Sequence, residues 1–380
     1  MEDSSEINIR IPGKTQSYPI TVERGIIAQV GPRLDVVLPG ATRRVLAVSN
    51  AKVFALYGRA VMASLDRSRF TASSWLMGDG ERFKSWRTLE QAITAFGGAG
   101  LERPDAVIAL GGGVVGDLTG LAAELYLRGI ALVQIPTTLL AQIDSSVGGK
   151  TGINIPAGKN LVGTFHHPVT VLIDPDTLRT LPPRELTAGW CEAVKQAAVA
   201  DRRLFLRTQR LLESGSDGLE AEDLARIIAD QCALKAKIVA GDARESWDRT
   251  DSRSRRILNF GHTVGHALET ATSYRRFRHG EAVGVGMLVA GEIAKNIGIL
   301  PTDELELLRS AILLAGRLPR TRDLDPADIL ALVKRDKKSV GGSLKWILLE
   351  RVGRARIVDG REIPPAAVRA ALRTVLYESN

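Results

Sequence analysis

Residues 106–117 read AVIALGGGVVGD, an apolar run that ends in a glycine-rich turn. The run predicts a buried strand, and residues 118–127 after the turn predict a helix. Further β-branched runs at 44–49, 130–135 and 169–174 alternate with amphipathic or glycine-bounded segments. This alternation indicates βαβ units, and therefore an α/β, Rossmann-like N-terminal domain with a parallel sheet.

The periodicity changes after LPP at 181–183. Stretches with an apolar residue every three or four positions predict helices, and they cover residues 204–213, 221–240, 281–296, 302–315 and 327–334. Two short late runs, 344–349 and 355–358, predict a hairpin at Gly353. We therefore predict an α/β domain at 1–182 and a mostly α-helical domain at 183–380, with the functional site in the cleft between them.

The composition narrows the class of protein. The chain has 380 residues, 44% of them hydrophobic, which is enough for a large core. It starts with the polar segment MEDSSE, so we expect no signal peptide, no membrane span and a cytoplasmic location. The net charge of +8 is dispersed and aromatic residues are only 5%, which favours an anionic small molecule over nucleic acid as the partner. Cys191 and Cys232 lie in apolar helical segments and predict buried, reduced thiols.

Three of the five histidines lie in LNFGHTVGH at 258–266 and HGE at 279–281. On a helix His262 and His266 share one face with Glu269, so two imidazoles and a carboxylate could converge on a divalent ion. Histidines four apart also occur as ordinary hydrogen-bonded residues, so the spacing leaves the ligand set open. Glu192 and Lys195 share a predicted helix face and offer a further carboxylate and a cation, or simply a surface ion pair.

The glycine-rich turn at 111–116 is typical of a phosphate-binding loop. Glycines let the backbone approach a phosphate, and the N-terminus of the following helix supplies N–H donors. The spacing is not that of the dinucleotide motif GxGxxG, and a tight strand–helix connection is the alternative. DGERFK at 79–84 and PTT at 136–138 offer further nucleotide contacts.

A second glycine-rich region reads DSSVGGKTGIN at 144–154, followed by GKN at 158–160. Its GGKT resembles the end of a P-loop, but Asp144 replaces the first glycine of that motif, which excludes a nucleotide triphosphatase. Lysines on such loops suit a phosphate that is not transferred, or a carboxylate, unless they are simply flexible surface residues.

Together these segments resemble the 3-dehydroquinate synthases, the NAD- and zinc-dependent enzymes of the shikimate pathway within the sugar phosphate cyclase superfamily. The likeness runs from about residue 80 to residue 336 and includes the motifs in the family's order. It implies a dehydroquinate synthase-like fold, a homodimer and a phosphate-eliminating lyase. The implied substrate is 3-deoxy-D-arabino-heptulosonate 7-phosphate, which becomes 3-dehydroquinate and phosphate by transient oxidation, elimination, reduction and intramolecular aldol closure.

The resemblance also implies roles for individual residues. Zinc, with Co²⁺ as an alternative, would be held by Glu192, His262 and His279. NAD would contact Asn50, Asp79, Gly80, Glu81, Arg82, Phe83, Lys84, Gly113, Val114, Val115, Gly116, Asp117, Thr137, Thr138, Lys150, Lys159, Thr177, Leu178, Arg179 and Thr180. The substrate and the catalytic steps would involve Asp144, Lys150, Asn160, Lys195, Lys235, Glu245, Arg255, Asn259, His266, Lys337 and, from a neighbouring subunit, Arg128.

The chain departs from the family pattern at residues 246–254, which stand where the family has a short acidic link. The segment separates Glu245 from Arg255, so the roles of these two residues depend on how it is aligned with the family. This polar, charge-mixed segment predicts an exposed extension. Gln196 stands where the family has an aromatic residue.

Two other enzyme classes remain open. A 2-deoxy-scyllo-inosose or valiolone synthase would act on a substrate without the carboxylate, and a metal-dependent polyol dehydrogenase would need no phosphate-binding set. The intact DSSVGGK at 144–150 and the pair Asn259 and His266 favour a 3-dehydroquinate synthase over both of these classes. A basic nucleic-acid-binding protein would rest on the +8 charge alone.

Overall fold

The computed structural model describes residues 5–11, 16–215, 221–246, 248–338 and 344–378. The chain forms two compact units, one of Met1–Leu181 with Leu224–Ala236 and the other of Pro182–Asp223 with Lys237–Asn380.

The strands of the described residues are β1 (Ser5–Ile11), β2 (Gln16–Val22), β3 (Arg44–Asn50), β4 (Thr71–Met77), β5 (Ala106–Gly111), β6 (Ala131–Pro136), β7 (Lys150–Ile155), β8 (Gly158–Phe165), β9 (Thr170–Ile173), β10 (Lys345–Arg351) and β11 (Arg354–Asp359). The α-helices are α1 (Val30–Val37), α2 (Ala51–Val53), α3 (Arg59–Asp66), α4 (Trp86–Gly98), α5 (Gly113–Leu125), α6 (Pro183–Ala200), α7 (Arg202–Glu213), α8 (Ala221–Gly241), α9 (His262–Ala271), α10 (His279–Asn296), α11 (Thr302–Ala315), α12 (Pro326–Lys338) and α13 (Pro365–Glu378). Short 3-10 helices span Ile26–Gln29, Glu81–Phe83, Tyr126–Arg128, Pro175–Thr180 and Arg255–Asn259, and π-helical turns span Phe54–Gly58 and Ala141–Ser145.

The first unit is built on a seven-stranded sheet in the order β1-β2-β9-β6-β5-β3-β4. All neighbouring strands pair in parallel except β1 and β2, which form an antiparallel hairpin. β5 lies near the middle and is buried throughout. Its Val107 packs into a cluster with α4 and α5, while Ile108 packs into a second cluster with α1 and α3. Burial on both faces explains why these strands appear as continuous apolar runs, and it confirms the predicted parallel α/β fold.

The second unit is mostly helical, as predicted, and contains the β10–β11 hairpin. Its central helix, α10, is buried from Gly280 to Ala294 and packs against α6, α9, α11 and α13. Glycines permit this packing, since a Cβ at Gly286 would lie 2.0 Å from Gly261 O. Helix α8 contributes to both units, because Leu224–Ala236 belong to the first.

Cys191 and Cys232 are buried free thiols, as predicted. Burial raises the pKa of Cys232 to about 12, so the thiolate is disfavoured. Among the described helices, none combines the length and hydrophobicity that a bilayer crossing requires.

Candidate functional site

The glycine-rich turn joins β5 directly to α5. Gly112 caps the helix, and a Cβ there would lie 3.1 Å from Thr138 Cγ2. A Cβ at Gly113 would lie 3.0 Å from Ser145 Oγ, and one at Gly116 would lie 2.9 Å from Gln134 Oε1. The small residues therefore let the first turn of α5 pack tightly at the carboxyl end of the sheet, with its N–H groups available to an anion.

Lys84 brings three of the predicted cofactor segments together. Its side chain is only 5% exposed, and Nζ donates hydrogen bonds to Asp117 Oδ2 and Asn160 Oδ1. Burial raises the pKa of Asp117, although the Lys84 charge acts in the opposite direction. Asn160 adopts a left-handed backbone with φ of 56°, which places its side chain at this contact.

The hairpin of β7 and β8 is held to the segment 79–84 by Asn154, for which no role was predicted from the sequence. Asn154 N donates to Lys84 O at 2.8 Å, and its side-chain amide donates to Glu81 Oε1 at 2.7 Å. Its Oδ1 accepts the N–H of Asn160 at 3.0 Å. Asn154 therefore fixes the relative positions of residues predicted to contact NAD.

Four further hydrogen bonds, two at Asn50 and two at Thr177, hold the same unit together. Asn50 caps α2 by accepting the N–H of Val53 at 2.9 Å, and it donates to Asp79 Oδ1 at 3.1 Å. Gln142 Nε2 donates to Thr177 Oγ1 at 3.0 Å, and Tyr57 OH donates to Thr177 O at 3.1 Å. Gln142 and Tyr57 were not identified from the sequence, because neither lies in a motif.

Lys235 and Asp144 form a pair in the first unit. Lys235 is buried, and its Nζ donates to Asp144 Oδ1 at 2.6 Å and also to the Asp144 carbonyl. Asp144 lies in the π-helical turn Ala141–Ser145. The predicted lysines of the hairpin are more accessible, Lys150 being exposed and Lys159 half-buried.

Glu192 and Lys195 lie one turn apart on α6 in the second unit. Their side chains are 1% and 2% exposed, and Lys195 Nζ contacts Glu192 Oε2. The pair is therefore buried, which rules out the simple surface ion pair. Burial of two charges is costly unless each has compensating partners.

Three imidazoles converge beside this pair. His262, His266 and His279 each offer a nitrogen within 4.8 Å of the others, and their ring centroids are 5.2–5.9 Å apart. His279 Nε2 lies 3.9 Å from Glu192 Oε1. Two ligands of one tetrahedral zinc, each at about 2 Å, are separated by about 3.3 Å, so this spacing is close to that of a metal site.

The chemistry of the group fits a divalent cation. Both oxygens of Glu192 are buried; Oε2 pairs with Lys195 Nζ, whereas Oε1 has no hydrogen-bond donor within the described part of the chain and lies toward His279. Burial, followed by the Lys195 charge and the neighbouring imidazoles, holds the pKa of His262 well below its usual value. A neutral imidazole and an ionised carboxylate are the forms that bind zinc.

The first turn of α10 holds His279 in place. A Cβ at Gly280 would lie 1.9 Å from Ala188 O, so this position requires glycine. Glu281 accepts the N–H of Arg278 at 2.7 Å and two hydrogen bonds from Arg184, at 2.8 and 2.6 Å. The sequence pointed to His279-Gly280-Glu281 but not to Arg184, which makes this turn rigid.

The structure brings Glu245 and Asn259 together despite the intervening extension. Asn259 Nδ2 donates to Glu245 Oε1 at 3.0 Å. Arg255 is buried, and Asp242 accepts its N–H at 2.9 Å. Burial opposes ionisation of Asp242, but hydrogen bonds from the Ser246 and Arg255 amides hold its pKa below the usual value.

The extension is largely exposed, as predicted. Residues 246, 248 and 250–253 are exposed, Arg249 is half-buried and Ser254 is buried, while Trp247 lies outside the described residues. Lys337 lies in α12, and its side chain falls outside the described part of the structure.

The comparisons identify the family. The chain matches the 3-dehydroquinate synthase N-terminal domain over residues 74–188 and the C-terminal domain over residues 189–339. The 3-dehydroquinate synthase of Symbiobacterium thermophilum is 44% identical over 365 residues, covering 95% of this chain and 98% of that protein. The one from Gloeobacter violaceus is 41% identical and covers 97% of this chain and 99% of that protein.

Solved structures show the same fold. A 2-epi-5-epi-valiolone synthase from Streptomyces hygroscopicus, with NAD⁺ and Zn²⁺ bound, has a TM-score of 0.85 at 30% identity and covers 97% of this chain and 98% of that one. A 2-deoxy-scyllo-inosose synthase complexed with carbaglucose-6-phosphate, NAD⁺ and Co²⁺ has a TM-score of 0.83 at 25% identity, covering 97% and 99%. A glycerol dehydrogenase from Schizosaccharomyces pombe shares the fold at a TM-score of 0.66 and 16% identity, covering 93% of this chain and 87% of that one.

Proposed function

The chain belongs to the 3-dehydroquinate synthase family, and on this premise we propose that it converts 3-deoxy-D-arabino-heptulosonate 7-phosphate into 3-dehydroquinate and phosphate. The observation that carries the proposal is the convergence of His262, His266 and His279 beside the buried Glu192 carboxylate, whose Oε1 lies 3.9 Å from His279 Nε2. Lys195 approaches the other oxygen, Oε2, so Oε1 faces the imidazoles and is placed to bind a cation.

The cofactors are NAD and a divalent metal, Zn²⁺ or Co²⁺. Two related cyclases hold NAD⁺ with one of these metals, which supports the assignment. Glu192, His262 and His279 would hold the metal, and its chemistry there would be to polarise substrate hydroxyl groups. His266 is exposed and would face the substrate.

Residues 79–84 and 113–117 with Lys159 would hold NAD, which would supply a hydride acceptor for C5 and a hydride donor later in the same turnover, so that it would not be consumed. Oxidation at C5 acidifies the C6 proton, which the substrate's own phosphate can remove as the C–O bond to that phosphate breaks. After reduction at C5 the ring opens, and the resulting enol attacks the ketone to form the carbocycle. The protein's part is to orient and hold the groups.

The protein side chains divide by the substrate group that they would contact. Lys195 and Asp144 would orient the hydroxyl groups, while Lys235 and Arg255, with Glu245 near Asn259, would define the carboxylate end. The phosphate would be held by Lys150, Asn160, Asn259, His266 and Lys337.

Identity supports this substrate over that of another cyclase. The relatives of 41% and 44% identity are 3-dehydroquinate synthases, whereas the solved cyclases for other substrates are 25% and 30% identical. The buried basic residues Lys235 and Arg255 suit a carboxylate that the other cyclase substrates lack.

We also propose a homodimer and a cytoplasmic location. Arg128 is exposed and follows Leu127, both in the left-handed region at φ of 63° and 51°. Such backbone conformations cost energy in residues other than glycine and are often retained for function. This supports the proposal that the Arg128 side chain reaches a neighbouring subunit.

The reduced cysteines and the use of NAD support a cytoplasmic location.

The metal site is tested by zinc analysis of three single variants. Glu192→Ala and His279→Ala should each lose bound zinc, because each removes one of three protein ligands. His266→Ala should keep its zinc and lose turnover. Undiminished zinc in the first two variants would contradict the ligand set, and loss of zinc in His266→Ala and His279→Ala but not in Glu192→Ala would point to three imidazole ligands instead.

A further inference from the structure

Glu269 is a buried carboxylate that the proposed reaction does not use. It lies on α9, one turn beyond His266, and its side chain is 3% exposed. The spacing of α9 places it on the same face as His262 and His266, where it was a candidate ligand. In the structure, however, Glu269 Oε2 lies 3.3 Å from Nδ1 of His279, which is the first residue of α10.

The two nitrogens of His279 therefore face two different carboxylates. Nδ1 faces Glu269, and Nε2 lies 3.9 Å from Glu192 Oε1, on the side where the imidazoles converge. A ring nitrogen that binds a metal cannot carry a proton, so the other nitrogen of a neutral imidazole must carry it. A carboxylate acts only as an acceptor, and Glu269 is placed to accept that proton's hydrogen bond.

We propose that Glu269 is a positioning residue that holds His279 in the Nδ1–H tautomer and turns its Nε2 toward the metal. This inference rests on the proposed metal site, and it holds whether Glu192 or His266 completes the ligand set with His262. The Glu269 charge also makes the imidazole a stronger ligand, as outer carboxylates do at other zinc sites. Gly280 and the Glu281–Arg184 contacts fix the backbone of His279, whereas Glu269 fixes its ring.

The test is a zinc titration of the apo protein, with Co²⁺ as a spectroscopic probe. Glu269→Ala should weaken zinc binding by about 10- to 100-fold and alter the visible Co²⁺ spectrum. Glu269→Gln keeps an acceptor oxygen but loses the charge, so its affinity should lie between those of wild type and Glu269→Ala.

Glu292→Gln is the matched control, because Glu292 is an equally buried carboxylate on α10 whose partners are Arg309 and Lys295. Its zinc affinity and Co²⁺ spectrum should equal those of wild type. If Glu269→Ala does not fold, Glu269→Gln decides the question by the same titration.

Each other outcome counts against the inference. Zinc affinity in Glu269→Ala within about threefold of wild type would overturn it while leaving the metal site intact, since an outer ligand should cost more. Equal weakening in the Glu269 and Glu292 variants would show a general effect of lost buried charge and would also overturn it. A wild-type protein that binds no zinc would refute the proposed metal site, and the inference with it.

Discussion

Glu192 and Lys195 show what a single spacing can and cannot predict. Their separation of three residues correctly indicated a shared helix face, but it could not tell a surface pair from a buried one. Burial is decided by the packing of α6 against α10, whose residues lie some ninety positions later in the chain. For the same reason the sequence suggested Glu269 as a neighbour of His262 and His266, but not its contact with His279.

Asp105 provides a test of the structure at the level of one residue. It is buried just before β5, and its carboxylate accepts the N–H groups of Arg43, Arg44 and Glu102 at 2.8–2.9 Å. Burial opposes its ionisation, but these hydrogen bonds, with the charge of Arg44, hold its pKa below the usual value. The ionised side chain therefore stabilises the junction of β3 and β5.

We expect Asp105→Asn to lower the free energy of unfolding by about 1–3 kcal/mol at neutral pH, because an amide has one acceptor oxygen and no charge. A depressed folded-state pKa gives a contribution that is complete above the unfolded pKa of about 3.9 and is lost as the pH falls through the folded value. Urea unfolding at several pH values checks this. A difference between the two proteins that persists undiminished in strong acid would contradict it.

At the scale of elements, the sequence predicted strands and helices where burial is continuous. β3, β5, β6 and β9 appeared as apolar runs because helices cover the strands on both faces. β4 lies at the edge of the sheet with most of its residues at least partly exposed, so no apolar run marked it. The β7–β8 hairpin is rich in glycine and polar residues, and contacts such as that of Asn154 with Lys84 hold it against the segment 79–84, which no local pattern predicts.

The start of α10 allows a prediction about one element. Glu281 is fully buried and depends on Arg184, whose guanidinium is about half exposed. Arg184→Ala would leave a buried carboxylate with one partner fewer, and we expect it to lower the free energy of unfolding by about 1–3 kcal/mol. We also expect zinc affinity to fall, because the turn that carries His279 loosens.

The control for this prediction is Arg202→Ala. Arg202 also makes a two-point contact with a carboxylate, Glu304, but this pair joins α7 to α11, and Glu304 is 13% exposed whereas Glu281 is fully buried. It should cost about 1 kcal/mol or less and leave zinc affinity unchanged. Unchanged zinc affinity in Arg184→Ala would show that the turn keeps its shape without this contact.

At the scale of the whole molecule, the sequence predicted a parallel α/β sheet and a helical second half, but not that α8 contributes to both units. A local pattern identifies a helix without showing which core it joins. The motifs at 79–84, 111–117 and 158–160 do meet at Lys84, as a common binding role requires. The parallel sheet places the first two at its carboxyl edge, whereas residues 158–160 belong to the separate β7–β8 hairpin, which local periodicity does not place.

The proposed homodimer leads to a complementation experiment. Arg128→Ala and His279→Ala should each be impaired as pure proteins. The first variant would lose the contact of Arg128 with the phosphate bound in the neighbouring subunit, and the second would lose metal binding. In a mixed dimer the Arg128→Ala subunit would receive a normal Arg128 from its partner, so random mixing should restore about one quarter of the wild-type rate. No recovery in a mixture shown to exchange subunits would place Arg128 in its own subunit's site or remove it from catalysis.

Phosphate release in the presence of substoichiometric NAD tests the central claim most directly. We expect the wild-type enzyme to release one phosphate for each molecule of 3-deoxy-D-arabino-heptulosonate 7-phosphate, with no net NADH, because the hydride returns to C5 within each turnover. Glucose 6-phosphate and sedoheptulose 7-phosphate, which lack the carboxylate, serve as comparison substrates and should react poorly. Steady NADH accumulation with a simple polyol and no phosphate release would contradict the account. Efficient cyclisation of either sugar phosphate that lacks the carboxylate would also contradict it.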